Sequence, residues 1–264
     1  MLHLQSVSLR NLPEEEEFPF TLPLVKDLEP IIFKSNITFF VGENGAGKST
    51  ILEAIAYKLN VPVAGTASVD LDPMLENARK LGKYLSIRQA SKSSRGFFLR
   101  AEDFIGFVKN IQRQIADLNS EIAEIKNTWT GGDITLALGA VEGERNALIA
   151  RYGKDLDAMS HGEGFLKFFL SRITGKGVYL IDEPEAALSP TRLLSLISLI
   201  RQKVKDVDAQ FIIATHSPII MSIPEAEILH FKDGKIVPIA YQETEHYQLT
   251  KSFLDNPELF LREL

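Results

Sequence analysis

The 264-residue chain contains no cysteine. That excludes disulfide frameworks, thiolate nucleophiles and cysteine-ligated metal sites. It has no apolar run close to the length of a membrane span, no internal repeat and no low-complexity tract. It also lacks a basic surplus: 29 Lys and Arg stand against 35 Asp and Glu, a net charge of −6. This argues against a globally basic nucleic-acid binder and leaves room only for a local basic patch. The opening MLHLQSVSLRNL alternates like a strand and has neither the charged start nor the cleavage site of a secretory signal. The expected location is cytoplasmic. Hydrophobic residues make up 45% and charged residues 24%, ordinary for a globular chain long enough for one large core or a core with an inserted subdomain.

What is present starts with VGENGAGKST. Gly42, Glu43, Asn44, Gly45, Ala46, Gly47, Lys48 and Ser49 read G-x-x-x-x-G-K-S, and Thr50 follows. The apolar run Ile37 to Val41 before it reads as a buried strand. After it, Ile51, Leu52, Ile55, Ala56 and Leu59 share one helical face. A glycine-rich turn between strand and helix can aim backbone N–H groups at an anion on the positive helix end. Lys48 would reach β- and γ-phosphates, and Ser49 would put its hydroxyl on Mg²⁺.

A second strand, Val178 to Ile181, delivers Asp182 and Glu183 at its carboxyl end, where ligands of open α/β sheets sit. Adjacent strand residues point to opposite sides, so one carboxylate can face Mg²⁺ and the other the attacking water. Pro190 opens a helix capped by Ser189. A third strand, Phe211 to Ala214, ends just before His216, a candidate ligand sensor.

The rest is less explicit. Pro19, Pro23 and Pro30 exclude long helices early in the chain, and the run Glu14 to Glu17 reads as a solvated loop. Phe18 or Phe20 is a candidate for stacking on an adenine ring, with core packing as the alternative. Residues 61–95 read as irregular, leading to a strand at the start of GFFLRAEDF. Arg79, Lys80, Lys83, Arg88, Lys92, Arg95 and Arg100 occur with no intervening acid, and Tyr84, Phe97 and Phe98 lie among them. This stretch, 79–100, is a solvated or phosphate-rim surface, or else a docking patch for nucleic acid or an acidic protein partner. Ile111, Ile115, Leu118, Ile122 and Ile125 form a stripe of about two heptads, too short for a coiled coil. It predicts an arm helix packed on a neighbour, with a second helix near Val141 to Tyr152.

The order of these blocks resembles the ATP-binding-cassette (ABC) ATPase family over most of the chain outside the arm and tail. The discriminating block is MSHGEGFLKFF, Met159 to Phe169, which is similar to the family's LSGGQ signature. Ser160 and Gly162 match, His161 replaces a glycine, and Glu163 replaces the glutamine. The resemblance implies an α/β fold, a P-loop core with a mostly parallel sheet flanked by helices. Core residues 1–100 and 159–264 would enclose an inserted helical arm, 101–158. It also implies ATP and Mg²⁺ as ligands and a head-to-tail homodimer, with ATP between the phosphate loop of one chain and Ser160, Gly162 and Glu163 of the other. Lys48, Ser49 and Thr50 would hold phosphates and metal, Asp182 would support Mg²⁺, Glu183 would polarise the hydrolytic water, and His216 would read the γ-phosphate. Glu102 falls where the family has a glutamine that reaches the metal. EPEAALSP and ATHSP resemble the RecF, SMC and overcoming-lysogenization-defect branch and small bacterial ATPases more than transporter subunits.

The expected function is an ATP-hydrolysing dimer switch driving a partner, with DNA repair or phage defence among its settings. The alternative is the ATP-binding subunit of an ABC transporter. A small-molecule kinase would leave the signature and His216 without a task. The tail face of Phe253, Leu254, Leu259, Phe260 and Leu261 is expected to pack on its own domain.

Overall fold

The computed structural model describes residues 2–13, 17–63, 75–90, 95–152 and 161–262. Side chains at 102–105, 107–108, 151–152, 161–163, 165 and 167 fall outside that description. The elements run β1 (Leu4–Leu9), α1 (Pro23–Lys26), β2 (Ile31–Ile32), β3 (Ile37–Gly42), α2 (Lys48–Leu59), α3 (Glu76–Tyr84), β4 (Leu85–Gln89) and β5 (Gly96–Arg100). Then come α4 (Ala101–Thr128), α5 (Thr135–Tyr152), α6 (His161–Arg172), β6 (Gly177–Asp182), α7 (Pro190–Val207), β7 (Ala209–Ala214) and α8 (Pro218–Met221). The chain closes with β8 (Glu227–Lys232), β9 (Lys235–Pro238), α9 (Glu245–Asp255) and α10 (Pro257–Leu261).

Six strands form the main sheet in the order β5-β6-β7-β3-β8-β9. The first five are parallel and β9 is antiparallel to β8. Strands β3, β6 and β7 are buried at every position, as strands covered on both faces must be. Their alternation divides the core. Phe39, Phe97, Tyr179, Ile181, Phe211 and Ile213 pack on one side with residues of α6, α7 and α8. Phe40, Phe98, Val178, Leu180 and Ile212 pack on the other with α2, α3 and the antiparallel sheet β2-β1-β4. The buried side-chain amide of Gln210 joins the two sheets: it accepts from Leu4 N–H at 2.8 Å and donates to Leu4 C=O at 2.9 Å.

Two expectations need correction. Residues 75–90, expected to be irregular, form helix α3 and strand β4, and β4 pairs with β1. Leu75, Ala78, Leu81 and Leu85 are buried there; lysines and arginines between them masked a helical apolar stripe. The tail face is exposed rather than packed: Leu254, Leu259 and Leu261 lie on the surface of α9 and α10, although Phe253 and Phe260 touch at 5.7 Å between centroids.

The stripe from Ile111 to Ile125 runs along α4. Ile111 and Ile122 of α4 are buried, and α4 packs along α5. Lys126 and Glu142 pair at 3.4 Å across the two helices. The turn between them is tied by Trp129 Nε1, which donates to Gly132 C=O at 3.0 Å.

Candidate functional site

The carboxyl ends of β3, β5, β6 and β7 are brought level by register: Arg100 pairs with Asp182, Asp182 with Ala214, and Ala214 with Phe40. Everything chemically notable emerges there. At the end of β3, Gly42 has φ +144°, and a Cβ would stand 2.4 Å from Phe231 C=O. Only glycine fits. Gly47 enters α2 at φ +94° with no side-chain cap hydrogen bond, which leaves the positive end of α2 suited to an anion.

Lys48 is 4% exposed and folds back over the loop, its Nζ donating to Gly42 C=O and Glu43 C=O at 2.9 Å each. Burial lowers its pKa, opposed by Glu183, Asp182 and Glu185. Beside it, Ser49 Oγ donates to Asp182 Oδ1 at 3.1 Å. Asp182 is 8% exposed, and burial pushes its carboxyl up to about 7, with Ser49 pulling the other way and Glu183 adding repulsion. Arg100, also expected on the basic surface stretch, is instead buried at this spot and pairs with Glu53 at 3.7 Å.

Glu183 departs from the expected strand geometry. The strand stops at Asp182, and Glu183 takes the left-handed conformation, φ +48° and ψ +54°. Its N–H donates to Ala214 C=O at 2.9 Å. The two carboxylates are thus separated by a backbone turn, not by strand pleat. Glu183 keeps 45% of its side chain exposed and lies 3.5 Å from His216 Nε2.

Two clefts meet at this point. One, of about 170 Å³, is lined by Asn44, Gly45, Gly47, Lys48, Thr50 and Phe18, and the other, of about 300 Å³, by Glu53, Arg100, Ala101, Asp182 and Ala186. Ser49 and Glu183 line both. The arrangement can seat a chain of phosphates over the glycine loop, an oxygen-liganded cation between Ser49 and Asp182, and a water before Glu183. Phe18, 46% exposed, borders the phosphate cleft, whereas Phe20 is 3% exposed and packs on Tyr84. Phe20 is therefore a core residue and not a stacking surface.

Sequence reading missed Glu185. Its half-buried carboxylate lies 2.8 and 2.9 Å from Thr215 Oγ1 and accepts from His216 N–H at 2.5 Å. Burial raises its pKa. The spacing Glu183-x-Glu185 was visible, but nothing in it said that the second carboxylate would brace the His216 turn. His246 was missed too: its Nε2 is 2.8 Å from His216 Nδ1. Ser160 lies outside the described residues. Gly162 and Glu163 belong to the first turn of α6, and Glu102 to the first turn of α4, with side chains outside the description.

Comparison with known proteins adds independent weight. Residues 18–128 match a family described as "AAA domain", and residues 147–222 match one described as "AAA domain, putative AbiEii toxin, Type IV TA system". The phosphonates import ATP-binding protein PhnC 1 of Ruegeria sp. (strain TM1040) is 26% identical over 81% of this chain and 82% of its own length. The lipoprotein-releasing system ATP-binding protein LolD of Bordetella pertussis is 24% identical over 84% and 91%.

The chain is similar to ABC-type ATP-binding proteins, and both matched families are AAA domains. Among solved structures, it is similar to the SMC head domain from Thermotoga maritima, at TM-score 0.47 and 19% identity over 90% of this chain and all of that one. No described helix is long and apolar enough to cross a membrane.

Proposed function

We propose that this protein is an ATP-driven dimerisation switch, with Mg-ATP clasped between the phosphate loop of one copy and the signature segment, Ser160, Gly162 and Glu163, of a second. The observation that carries it is a separation within one chain. Helix α6, which opens in the signature, packs against α4, α5 and α7. None of its described residues lines either cleft around Lys48. That lining supports a signature that serves the nucleotide of a second copy.

In this reading the glycine loop from Gly42 to Gly47, with Lys48 and Thr50, holds the phosphates, and Phe18 stacks on the base. Ser49 and Asp182 suit Mg²⁺: a hydroxyl touches a carboxylate whose burial leaves its negative charge poorly compensated. Glu102 is the candidate further oxygen ligand. When bound, the cation neutralises charge on β- and γ-phosphate oxygens. Glu183, open to solvent, orients the attacking water, and His216 contacts the γ-phosphate. The arm 101–158 is a subdomain inserted in the core, and the cell compartment is the cytoplasm.

Linkage sets the energetic demand. Turning a mostly open population into a mostly closed one takes about 5.5 kcal/mol of differential nucleotide binding. Charge-assisted hydrogen bonds contribute about 1.5–3 kcal/mol each, so a few contacts from the second copy suffice. The test is Glu183→Gln with Mg-ATP, followed by light scattering on a sizing column. The mass should double while turnover falls; a monomer under saturating Mg-ATP rules the switch out.

The basic stretch breaks up in three dimensions: Lys80 pairs with Glu17 and Glu76 at 3.5 Å each, and Arg100 is buried. Exposed Lys83 and Arg88 remain, a narrower surface for nucleic acid or an acidic protein in repair or phage defence. The sequence wording EPEAALSP supports the RecF-, SMC- and OLD-like branch. A second reading, the ATP-binding subunit of a transporter, is favoured by the names of the relatives PhnC 1 and LolD. Co-purification with an integral membrane protein would decide for it.

A further inference from the structure

We propose that His246, on the tail helix α9, is a positioning residue that fixes the tautomer of His216, so that the His216 proton sits on Nε2 and faces Glu183 and the γ-phosphate. The inference rests on the nucleotide reading of His216 given above.

The two imidazoles meet edge to face, with centroids 4.8 Å apart and planes at 61°. Nδ1 of His216 is 2.8 Å from Nε2 of His246. A hydrogen bond between two ring nitrogens holds one proton, so one ring donates and the other accepts. If His216 donated from Nδ1, its neutral ring would turn a bare Nε2 lone pair toward the Glu183 carboxylate 3.5 Å away, and toward an anionic phosphate. If His246 donates from Nε2, the His216 proton moves to its own Nε2, and that N–H meets both anions. Electrostatics selects the second arrangement. Among the described residues, His216 Nε2 is buried without a hydrogen-bond partner, so its donor is left for substrate. Burial and the Lys48 charge favour the neutral ring in both histidines. The other charges bearing on the pair are Glu183 for His216, and Glu245 and His230 for His246.

The tail is anchored to serve this contact. Thr244, buried just before α9, donates from Oγ1 to Tyr241 C=O at 2.7 Å. Tyr241 OH donates to Pro218 C=O at 2.9 Å, two residues beyond His216. From below, Glu185 accepts from His216 N–H. The sensor turn is thus clamped on its backbone by Glu185 and on its ring by His246.

The experiment uses the full chain with ring-¹⁵N histidine and three variants: His246→Ala, His246→Phe, which fills the space without a donor, and His246→Gln, whose amide can replace the Nε2 donor. Two-bond ¹H–¹⁵N spectra should show His216 protonated at Nε2 in the wild type and in His246→Gln. The Ala and Phe variants should show mixed tautomers. ATP turnover should fall about tenfold in Ala and Phe with little change in KM, and Gln should restore most of it. A wild-type spectrum with the His216 proton on Nδ1 overturns the proposal. So does full activity of His246→Phe, which would reduce the pair to packing. If His246→Phe does not fold, the wild-type and Gln spectra decide. Absence of ATP turnover in the wild type would instead count against the nucleotide reading, while the spectra still report the tautomer.

Discussion

Asp182 and Glu183 are neighbours in the chain and opposites in the site. Asp182 ends its strand buried against Ser49; Glu183 flips to a positive φ and keeps nearly half its side chain in solvent. The backbone turn gives one carboxylate a dry setting suited to a cation and the other a wet one suited to water.

Asp182→Asn should raise the stability of the nucleotide-free protein at pH 8. The folded-state pKa is raised from 3.8 to about 7, so the folded form binds the proton more tightly than the unfolded form. Stability from this group is present below pH 4 and is lost as pH rises toward 7. About three units correspond to roughly 2–4 kcal/mol. Thermal melts at pH 5 and pH 8 check it: the variant should gain over wild type at pH 8, and the gain should shrink at pH 5. The same variant should lose the extra stabilisation that Mg²⁺ adds to ATP. Equal melting at both pH values would show that Asp182 bears no such penalty.

Glu185→Gln keeps the shape of the side chain but presents an amide where two acceptor oxygens now serve Thr215 and His216. We expect a loss of about 1–3 kcal/mol and slower turnover, because the His216 backbone loses its brace. Chemical denaturation and initial rates measure the two effects separately. Unchanged rates would mean that the His216 turn holds itself.

Gly42→Ala should be the most damaging of the loop changes. The added methyl meets Phe231 C=O at 2.4 Å on a backbone at φ +144°, and neither the strand β8 nor the loop can yield without breaking their pairing. A cost of about 2–4 kcal/mol follows from strain and overpacking. Gly45→Ala, which meets no atom within 4 Å, should be milder. Comparable melting temperatures for the two would contradict this.

The sequence alone determined the strand-loop-helix of the phosphate site, the strands ending at Asp182 and Ala214, and the Ser189 cap, whose Oγ accepts from Arg192 N–H at 3.4 Å. These are local: glycine spacing, apolar runs and caps act within a few residues, so their signals lie side by side in the chain. Only the tertiary structure decided that α3 and β4 fold within a stretch dominated by basic residues, because their apolar face is completed by β1 and α2. It alone turned Arg100 inward beside Asp182, left the tail face exposed, and brought Glu185 and His246 onto His216 from residues about 30 positions away on either side. Such contacts depend on parallel register and on where a helix returns to the sheet, and no periodicity in the chain encodes either.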